Sequence, residues 1–385
     1  MRILSIESSC DETAAAIVND GVTILSSVVA TSLEIHKKYG GIVPEIASRK
    51  QAEYMIPVLQ ETFEKAGVDR STIDAIAVTI GPGLIGSLLV GVDTARTLSL
   101  LWNKPLIPVN HLVGHIYSGW LFDRNLQLVT RNSTAKQKSQ ITNYELRITI
   151  HELPITNYQL PVTDSSPQFP LIALIASGGH TDLVLVKGHG DLTLLGSTRD
   201  DAVGEAFDKV ARLLNLPYPG GPEIEKCAKN GDPQAVEFPR PMIDSPDFEF
   251  SYSGLKTSVR YEIERQTKNG TLNTADIAAS FQQAAFDVLV TKTLRAVTKH
   301  NAQSLLITGG VAANQRLKEM FITSTREKFP DLTVCIPPLS LATDNATYIA
   351  TAGYFLYDQL SLDPIKDRAK ILSLRANPGL EVTDL

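Results

Sequence analysis

Cysteine is scarce in this chain. Cys10, Cys227 and Cys335 are the only three among 385 residues. Their wide spacing builds neither a disulfide framework nor a CxxC zinc site, and it fits a reducing compartment. No apolar run reaches the ~18 residues that a membrane span needs. Acidic Glu7 arrives too early for the apolar stretch of a secretion signal, so a cytoplasmic protein is expected. Positive charge is not in excess either: the formal net charge is −6, so nothing global announces nucleic acid. Any RNA contact then needs a local basic patch or a partner protein. The glutamate of an H-E-x-x-H metalloprotease helix is also missing, because Leu112 stands in its place beside His111.

What is present is ample apolar material, 43% hydrophobic against 20% charged residues, enough for two ordinary globular domains. Strands are expected over residues 3–7, 14–18 and 22–29, joined by the polar turn 8–13 and by the Asn19-Asp20-Gly21 hairpin turn. A helix is expected over residues 44–66, then a strand at 75–80, a helix up to Trp102 and a strand at 106–109. The turn at 81–86 spells G-x-G-x-x-G. A dinucleotide fingerprint wants an acid about 20 positions on, and Thr94 to Phe122 contains none. We read those glycines as packing residues.

Residues 125–168 break the pattern with a near-repeat and several prolines, and read as a polar surface insertion. The pattern then restarts. Strands are expected at 171–176, 181–187 and 192–197, and helices at 202–216 and 276–299. A strand at 304–308, a helix from about 313, a strand at 333–336 and a helix over 341–359 follow. Residues 217–274 form an excursion, and the last residues an extended tail. The two halves share one order, βββαβαβα. This duplication points to an α/β protein of two similar lobes facing each other across a cleft. The expected division is 1–124 for the first lobe, 125–168 for the insertion and 169–340 for the second. The stretch 341–385 is free to pack back on the first lobe.

Asn110 is a good helix N-cap, so His111 and His115 fall one turn apart on one helix face. The positive end of that helix disfavours imidazolium, and neutral imidazole is the form that a metal needs. Gly114 between them lets another group approach. Alone, such a pair is equally well explained by hydrogen bonding within a core. The duplication sets Asp344, in the first turns of the corresponding helix of the second half, opposite the histidines. Two histidines and one carboxylate with open positions suit iron(II) or zinc; by itself, Asp344 is better explained as a helix-start acid favoured by the dipole.

These stretches carry a resemblance. Paired hairpin turns in two halves resemble the actin/sugar-kinase/Hsp70 superfamily of ATP-cleft proteins. Ile6-Glu-Ser-Ser-Cys-Asp-Glu-Thr13, Gly40-Gly-Ile-Val-Pro-Glu-Ile-Ala-Ser-Arg49, Asn110-His-Leu-Val-Gly-His115 and Ser177-Gly-Gly-His-Thr181 narrow it further. With them go Asp200-Asp-Ala-Val-Gly-Glu-Ala-Phe-Asp-Lys209, Tyr218-Pro-Gly-Gly-Pro222, Phe250-Ser-Tyr-Ser-Gly-Leu-Lys256, Gly309-Gly-Val-Ala-Ala-Asn314 and Ala342-Thr-Asp-Asn345. In this order they resemble the bacterial tRNA N6-adenosine threonylcarbamoyltransferase (TsaD/Kae/Qri) family, once described as a glycoprotein endopeptidase.

The resemblance implies transfer of a threonylcarbamoyl group from threonylcarbamoyl-AMP to N6 of adenosine 37 in tRNAs that read codons starting with A. It implies one divalent metal, iron(II) ahead of zinc, on His111, His115 and Asp344. It also implies an ATP- or ADP-like nucleotide in the cleft. The turn Ile175, Ala176, Ser177, Gly178 and Gly179 offers backbone N–H groups to phosphate or carboxylate. His180 either steers the acyl group or belongs only to the turn. Asp208 and Glu225 are candidates for ribose hydroxyls, Gly221 for close nucleotide approach, and Asn314 for adenine or for capping its helix. Ser9 and Glu12 line a phosphate turn, and Glu12 is a candidate for proton removal from N6. The partners implied are tRNA, a TsaB-like paralogue without the metal site and a TsaE-like P-loop ATPase. Two other classes stay open: an actin- or Hsp70-like ATP-dependent binding module, and a metallopeptidase.

Overall fold

The computed structural model describes residues 1–121, 166–359 and 365–384. The expected insertion at 125–168 lies almost wholly outside the described residues. The strands are β1 (Arg2–Glu7), β2 (Glu12–Asn19), β3 (Thr23–Thr31), β4 (Ala75–Gly81), β5 (Leu106–Asn110), β6 (Leu171–Ala176), β7 (Thr181–Gly188), β8 (Asp191–Ser197), β9 (Ser304–Thr308) and β10 (Thr333–Cys335). The longer helices are α1 (Pro44–Ala66), α2 (Ile85–Trp102), α3 (His111–Tyr117), α4 (Val203–Leu213), α5 (Gly220–Ala228), α6 (Ser253–Lys268), α7 (Thr274–His300), α8 (Gln315–Lys328), α9 (Thr347–Gln359) and α10 (Arg368–Ser373).

The chain divides into two compact units. One comprises Met1–Glu34, Val43–Ser166 and Asp344–Asp384; the other comprises Ile35–Ile42 and Pro167–Thr343. Each holds one five-stranded mixed sheet, β3-β2-β1-β4-β5 in the first and β8-β7-β6-β9-β10 in the second. The order is the same in both: an antiparallel hairpin pair beside a central strand, then two parallel strands. This is the duplicated actin-like α/β fold.

In the first unit β1 is central and buried on both faces, which explains its nearly unbroken apolar run. Leu4, Ile6, Ala15 and Ile17 point to one face and pack with Met55 and Val58 of α1 and with Val92 and Ala95 of α2. The alternate residues Ala14 and Ala16 meet Ala346 on the other. Helix α9 covers this second face closely because its contacts are small. Ser5 Oγ donates to the Ala346 carbonyl at 2.6 Å, and a Cβ on Gly353 would sit 3.2 Å from Ala77.

The last described residues are more than an extended tail, and they belong to the first unit. Ile365 bridges Leu106 on the edge strand, Ile371 of α10 is buried, and Asn377 N–H donates to the Ile80 carbonyl at 2.7 Å. This segment also explains the glycines at 81–86. A side chain on Gly81 would collide with the Asn377 carbonyl, and one on Gly83 with Ser9. The glycine turn is a packing joint.

The second unit is built on β6, whose six residues are all buried. Long α7, capped by Asn273 at its start, carries Phe281 and Phe286 against Phe207 of α4. The excursion at 217–274 contains α5 and α6. Buried Lys292 of α7 anchors part of the connection between them, donating to Ser245 Oγ at 2.8 Å and to the Glu249 carbonyl. No described helix is long and apolar enough to cross a membrane.

Candidate metal centre and glycine turn

Helix α3 starts where β5 ends. The Asn110 side chain caps it, accepting from Leu112 N–H at 2.9 Å and from Val113 N–H at 3.5 Å. Its amide donates in turn to the carbonyls of Glu381 (2.6 Å) and Asp384 (3.2 Å), so the C-terminal segment is fastened to the first turn of α3. All seven residues of α3 are buried. His111 and His115 stand edge to face with ring centroids 4.7 Å apart.

Asp344 completes the cluster, but not from the opposite half: it lies in the same compact unit as the histidines. Nor is it inside a helix. Asn345 Oδ1 accepts from the backbone N–H and the hydroxyl of Thr347, which starts α9 after Asp344 and leaves Asp344 on the approach to it. Since α9 lies on the first sheet, the carboxylate arrives beside α3. A Cβ on Gly114 would be 2.6 Å from the Tyr348 ring and 2.7 Å from Ile349, so its absence allows this approach.

Asp344 Oδ1 is 3.7 Å from His111 Nε2 and 3.3 Å from His115 Nε2. One ligand atom from each of the three lies within 4.8 Å of the others. Ligands about 2.1 Å from one tetrahedral ion stand roughly 3.4 Å apart, so the spacing suits a shared metal. Among the described residues neither ring nitrogen of buried His115 has a well-aligned hydrogen-bond partner, with Asp344 Oδ1 at 3.3 Å from Nε2, a costly state in the absence of an ion. Asp344 is 23% exposed, which leaves the cluster an accessible side. The residues fit a divalent cation.

One participant went unread in the sequence. Glu7, at the end of β1, is fully buried, and its Oε2 faces His111 Nδ1 at 3.0 Å. Its oxygens accept two further bonds: Ser9 N–H donates to Oε1 and Thr79 Oγ1 to Oε2, each at 2.5 Å. A carboxylate behind a ligating histidine fixes the ring and turns the other nitrogen toward the metal. A buried acid ending an apolar strand was the available signal.

Glu7 also overturns the expectation that the helix end keeps both rings neutral. Burial favours neutral His111, yet the charges of Glu7 and Asp344 outweigh it and push the group up to about 9. Burial does push His115 down, against the pull of Asp344. Glu12, partly buried, is pushed well up by burial and by Asp11 and Asp344. Ser9 Oγ lies 3.3 Å from His111 Nδ1. The turn around it is held from behind, with Gln51 Nε2 donating to the carbonyls of Cys10 (3.0 Å) and Glu12 (2.9 Å).

The remaining candidates lie in the second unit. Ile175 and Ala176 end β6, and the turn after them closes with Ser177 N–H donating to the His180 carbonyl at 2.9 Å. Close backbone packing surrounds it, since a side chain on Gly204 would strike the Ser177 carbonyl and one on Gly309 the Ala176 carbonyl. By contrast Gly178, Gly179, Gly221 and Gly310 all face open space. Asp208 Oδ1 accepts from Gly220 N–H at 2.6 Å, and Glu225 Oε1 from Gln315 N–H at 3.0 Å. Asn314 caps α8 through Leu317 N–H (3.2 Å) and donates to Gln282 (2.8 Å). All three therefore hold backbone, and each keeps only part of its hydrogen-bonding capacity.

The chain matches the sequence model described as "TsaD: tRNA N6-adenosine threonylcarbamoyltransferase" over residues 23–131 and 132–351. It is 44% identical over 380 residues to the Moorella thermoacetica protein named tRNA N6-adenosine threonylcarbamoyltransferase, covering 98% of this chain and 96% of that one. The Geobacillus kaustophilus protein of the same name is 43% identical over 379 residues, with 98% and 96% covered. Among solved structures, full-length HypF in its phosphate- and nucleotide-bound form is similar with a TM-score of 0.57 at 10% identity, covering 94% of this chain and 47% of that one. That likeness concerns the fold.

Proposed function

Because the chain belongs to the tRNA N6-adenosine threonylcarbamoyltransferase family, we propose that it moves the threonylcarbamoyl group from threonylcarbamoyl-AMP to N6 of adenosine 37. The acceptors are tRNAs reading codons that start with A, and the product is t6A. The observation that supports this best is the His111, His115 and Asp344 cluster with Glu7 behind it, in a chain that follows its named relatives nearly end to end.

The acceptor amine is a weak nucleophile and the donor an activated mixed anhydride. The N6 nitrogen attacks the carbamoyl carbon, the bond to the phosphate oxygen breaks, AMP leaves with the electron pair, and N6 loses a proton. Orientation and charge stabilisation are the main needs. A divalent cation, iron(II) ahead of zinc, supplies Lewis-acid stabilisation of oxyanions. Its holders are His111 and His115 through Nε2, and Asp344. Glu7 keeps the His111 ring turned for that purpose. In the second unit the turn after Ile175 and Ala176 receives phosphate through the N–H groups of Gly178 and Gly179, since that of Ser177 already donates to the His180 carbonyl, with His180 at its edge toward the acyl group. Asp208 and Glu225 approach ribose with the oxygen each has left, Gly221 leaves room for the nucleotide, and Asn314 offers adenine its second N–H. The proton acceptor is left unassigned.

The chain works in the cytoplasm with tRNA, a TsaB-like paralogue and a TsaE-like ATPase. A groove of about 520 Å³ between α1 and α2, lined by Leu59, Phe63, Leu98 and Trp102, supports a docking face for the paralogue. Ile56, which also lines it, is 59% exposed.

The test is nucleoside analysis of unmodified tRNA after incubation with threonylcarbamoyl-AMP and purified chain, alone and with these partners. t6A should form, and His111→Ala or Asp344→Ala should abolish it together with bound metal. No t6A under any condition would refute the activity. Full activity in Asp344→Ala would refute the metal's role.

A further inference from the structure

The transferase reading leaves an acidic chain that must hold a polyanion. Its net charge is −6, so tRNA meets repulsion over most of the surface unless positive charge is concentrated somewhere. In the second unit it is. Helices α4 and α6 pack together, and the groove between them, about 280 Å³, is lined by Lys209, Arg212, Lys256 and Arg260. The lysines are answered by acids. Asp201 accepts from Lys209 at 2.6 Å and from Lys256 at 2.5 Å, and Glu205 stands 2.9 Å from Lys209.

The arginines are not answered in the same way. Arg212 donates to the Gly40 carbonyl, which neutralises nothing, although half-buried Asp208 lies near enough to feel its charge. Arg260 has Glu264 at 3.8 Å, with both side chains about half exposed, a pair of little strength. Four cations therefore face one groove with two close carboxylates. Beside it stands an aromatic ring in water. Tyr261 is 59% exposed, and the Arg260 guanidinium lies over its ring at 4.9 Å. An arginine stacked on an exposed tyrosine is a platform for an unstacked base, and guanidinium is matched to phosphate.

We propose that the groove between α4 and α6 is a tRNA-binding surface of this chain. Arg260 and Arg212 contact backbone phosphates there, and Tyr261 stacks on a neighbouring base. The inference rests on the transferase reading for the identity of the polyanion, and on the groove alone for its place.

Filter binding of a tRNA transcript to the full-length chain over a salt series tests it. Arg260→Glu should weaken binding about tenfold and flatten the salt slope by about one. Arg260→Lys should keep most of the affinity. Tyr261→Ala should weaken binding about fivefold or more, and Tyr261→Phe should not. The control is Arg326→Glu on exposed α8, which changes the net charge equally. Metal content and thermal stability verify that each variant is folded.

Binding by Arg260→Glu equal to wild type would overturn the proposal. So would an equal loss in Arg326→Glu, or a wild-type chain that retains no tRNA. Transfer of threonylcarbamoyl by wild type and Arg260→Glu at equal KM for tRNA would overturn the groove and leave the reaction standing. Absence of transfer by wild type, with tRNA still bound through Arg260, would overturn the reaction and leave the groove.

Discussion

Glu7 shows how one buried side chain organises a cluster it does not join. Its two oxygens are engaged by Ser9, Thr79 and His111, so turning away would break all three contacts. Glu7→Gln keeps the size but places an amide where two acceptors are needed. Metal affinity, measured by titration of metal-free chain, should fall about 10- to 100-fold. An unchanged affinity would mean that His111 is oriented by packing alone. Asp182 illustrates the opposite case. Burial, with Glu249 nearby, pushes it up from 3.8 to about 7. The folded chain then binds this proton more tightly than the unfolded one. The associated stability is full below pH 3.8 and is lost as pH rises through 7. Asp182→Asn should therefore be more stable than wild type at pH 8, by at most about 4 kcal/mol, with the gain fading toward pH 4. Urea unfolding at several pH values reads this, and a pH-independent difference would contradict it.

Helix α3 is held by both of its ends and by its middle. At Gly114 two effects oppose each other. Alanine would add about 1 kcal/mol of helix propensity. Its Cβ would also lie 2.6 Å from the Tyr348 ring, which is fully buried and has nowhere to go. Overpacking of that kind costs about 1–3 kcal/mol, so the clash wins. Gly114→Ala should lower the melting temperature and, by pushing away α9 and the Asp344 segment that leads into it, weaken metal binding as well. Higher stability would show that α9 yields. Much of this was legible beforehand. Asn110 announces the cap, the histidine spacing announces a shared face, and the glycine suggests close approach. The donor of that approach was not legible, because helix spacing says nothing about which surface a later segment will choose. The closing residues are similar. Pro378, Gly379 and mixed polarity give no period to read, and their order comes from long-range bonds to Leu106, Ile80 and Asn110.

The duplication read from the sequence is present as two sheets of one topology, and that reading invited an inference by symmetry. If Asp344 belongs to the second half, it should face the histidines from the far side. The chain does otherwise: after the second sheet is complete it returns, and Asp344–Asp384 belongs to the first unit. Symmetry is a property of strand order, whereas the placement of α9 is decided by the apolar face it covers, here Ala14, Ala16, Ala77 and Val109. The consequence is a definite one. All three proposed ligands, the Glu7 behind them and the Asn110 cap fall within one unit. A chain of residues 1–34, 43–121 and 344–384, joined by glycine–serine linkers, should fold and bind one divalent ion with an affinity within about tenfold of the full protein. Residues 1–121 alone should not, since the sheet face under α9 is then bare and the carboxylate is missing. Titration with zinc, followed by circular dichroism and calorimetry, separates the outcomes. A linked unit that folds but binds no zinc would mean that the second unit supplies something to the metal after all. Binding by residues 1–121 without Asp344 would mean that the cluster is not the site.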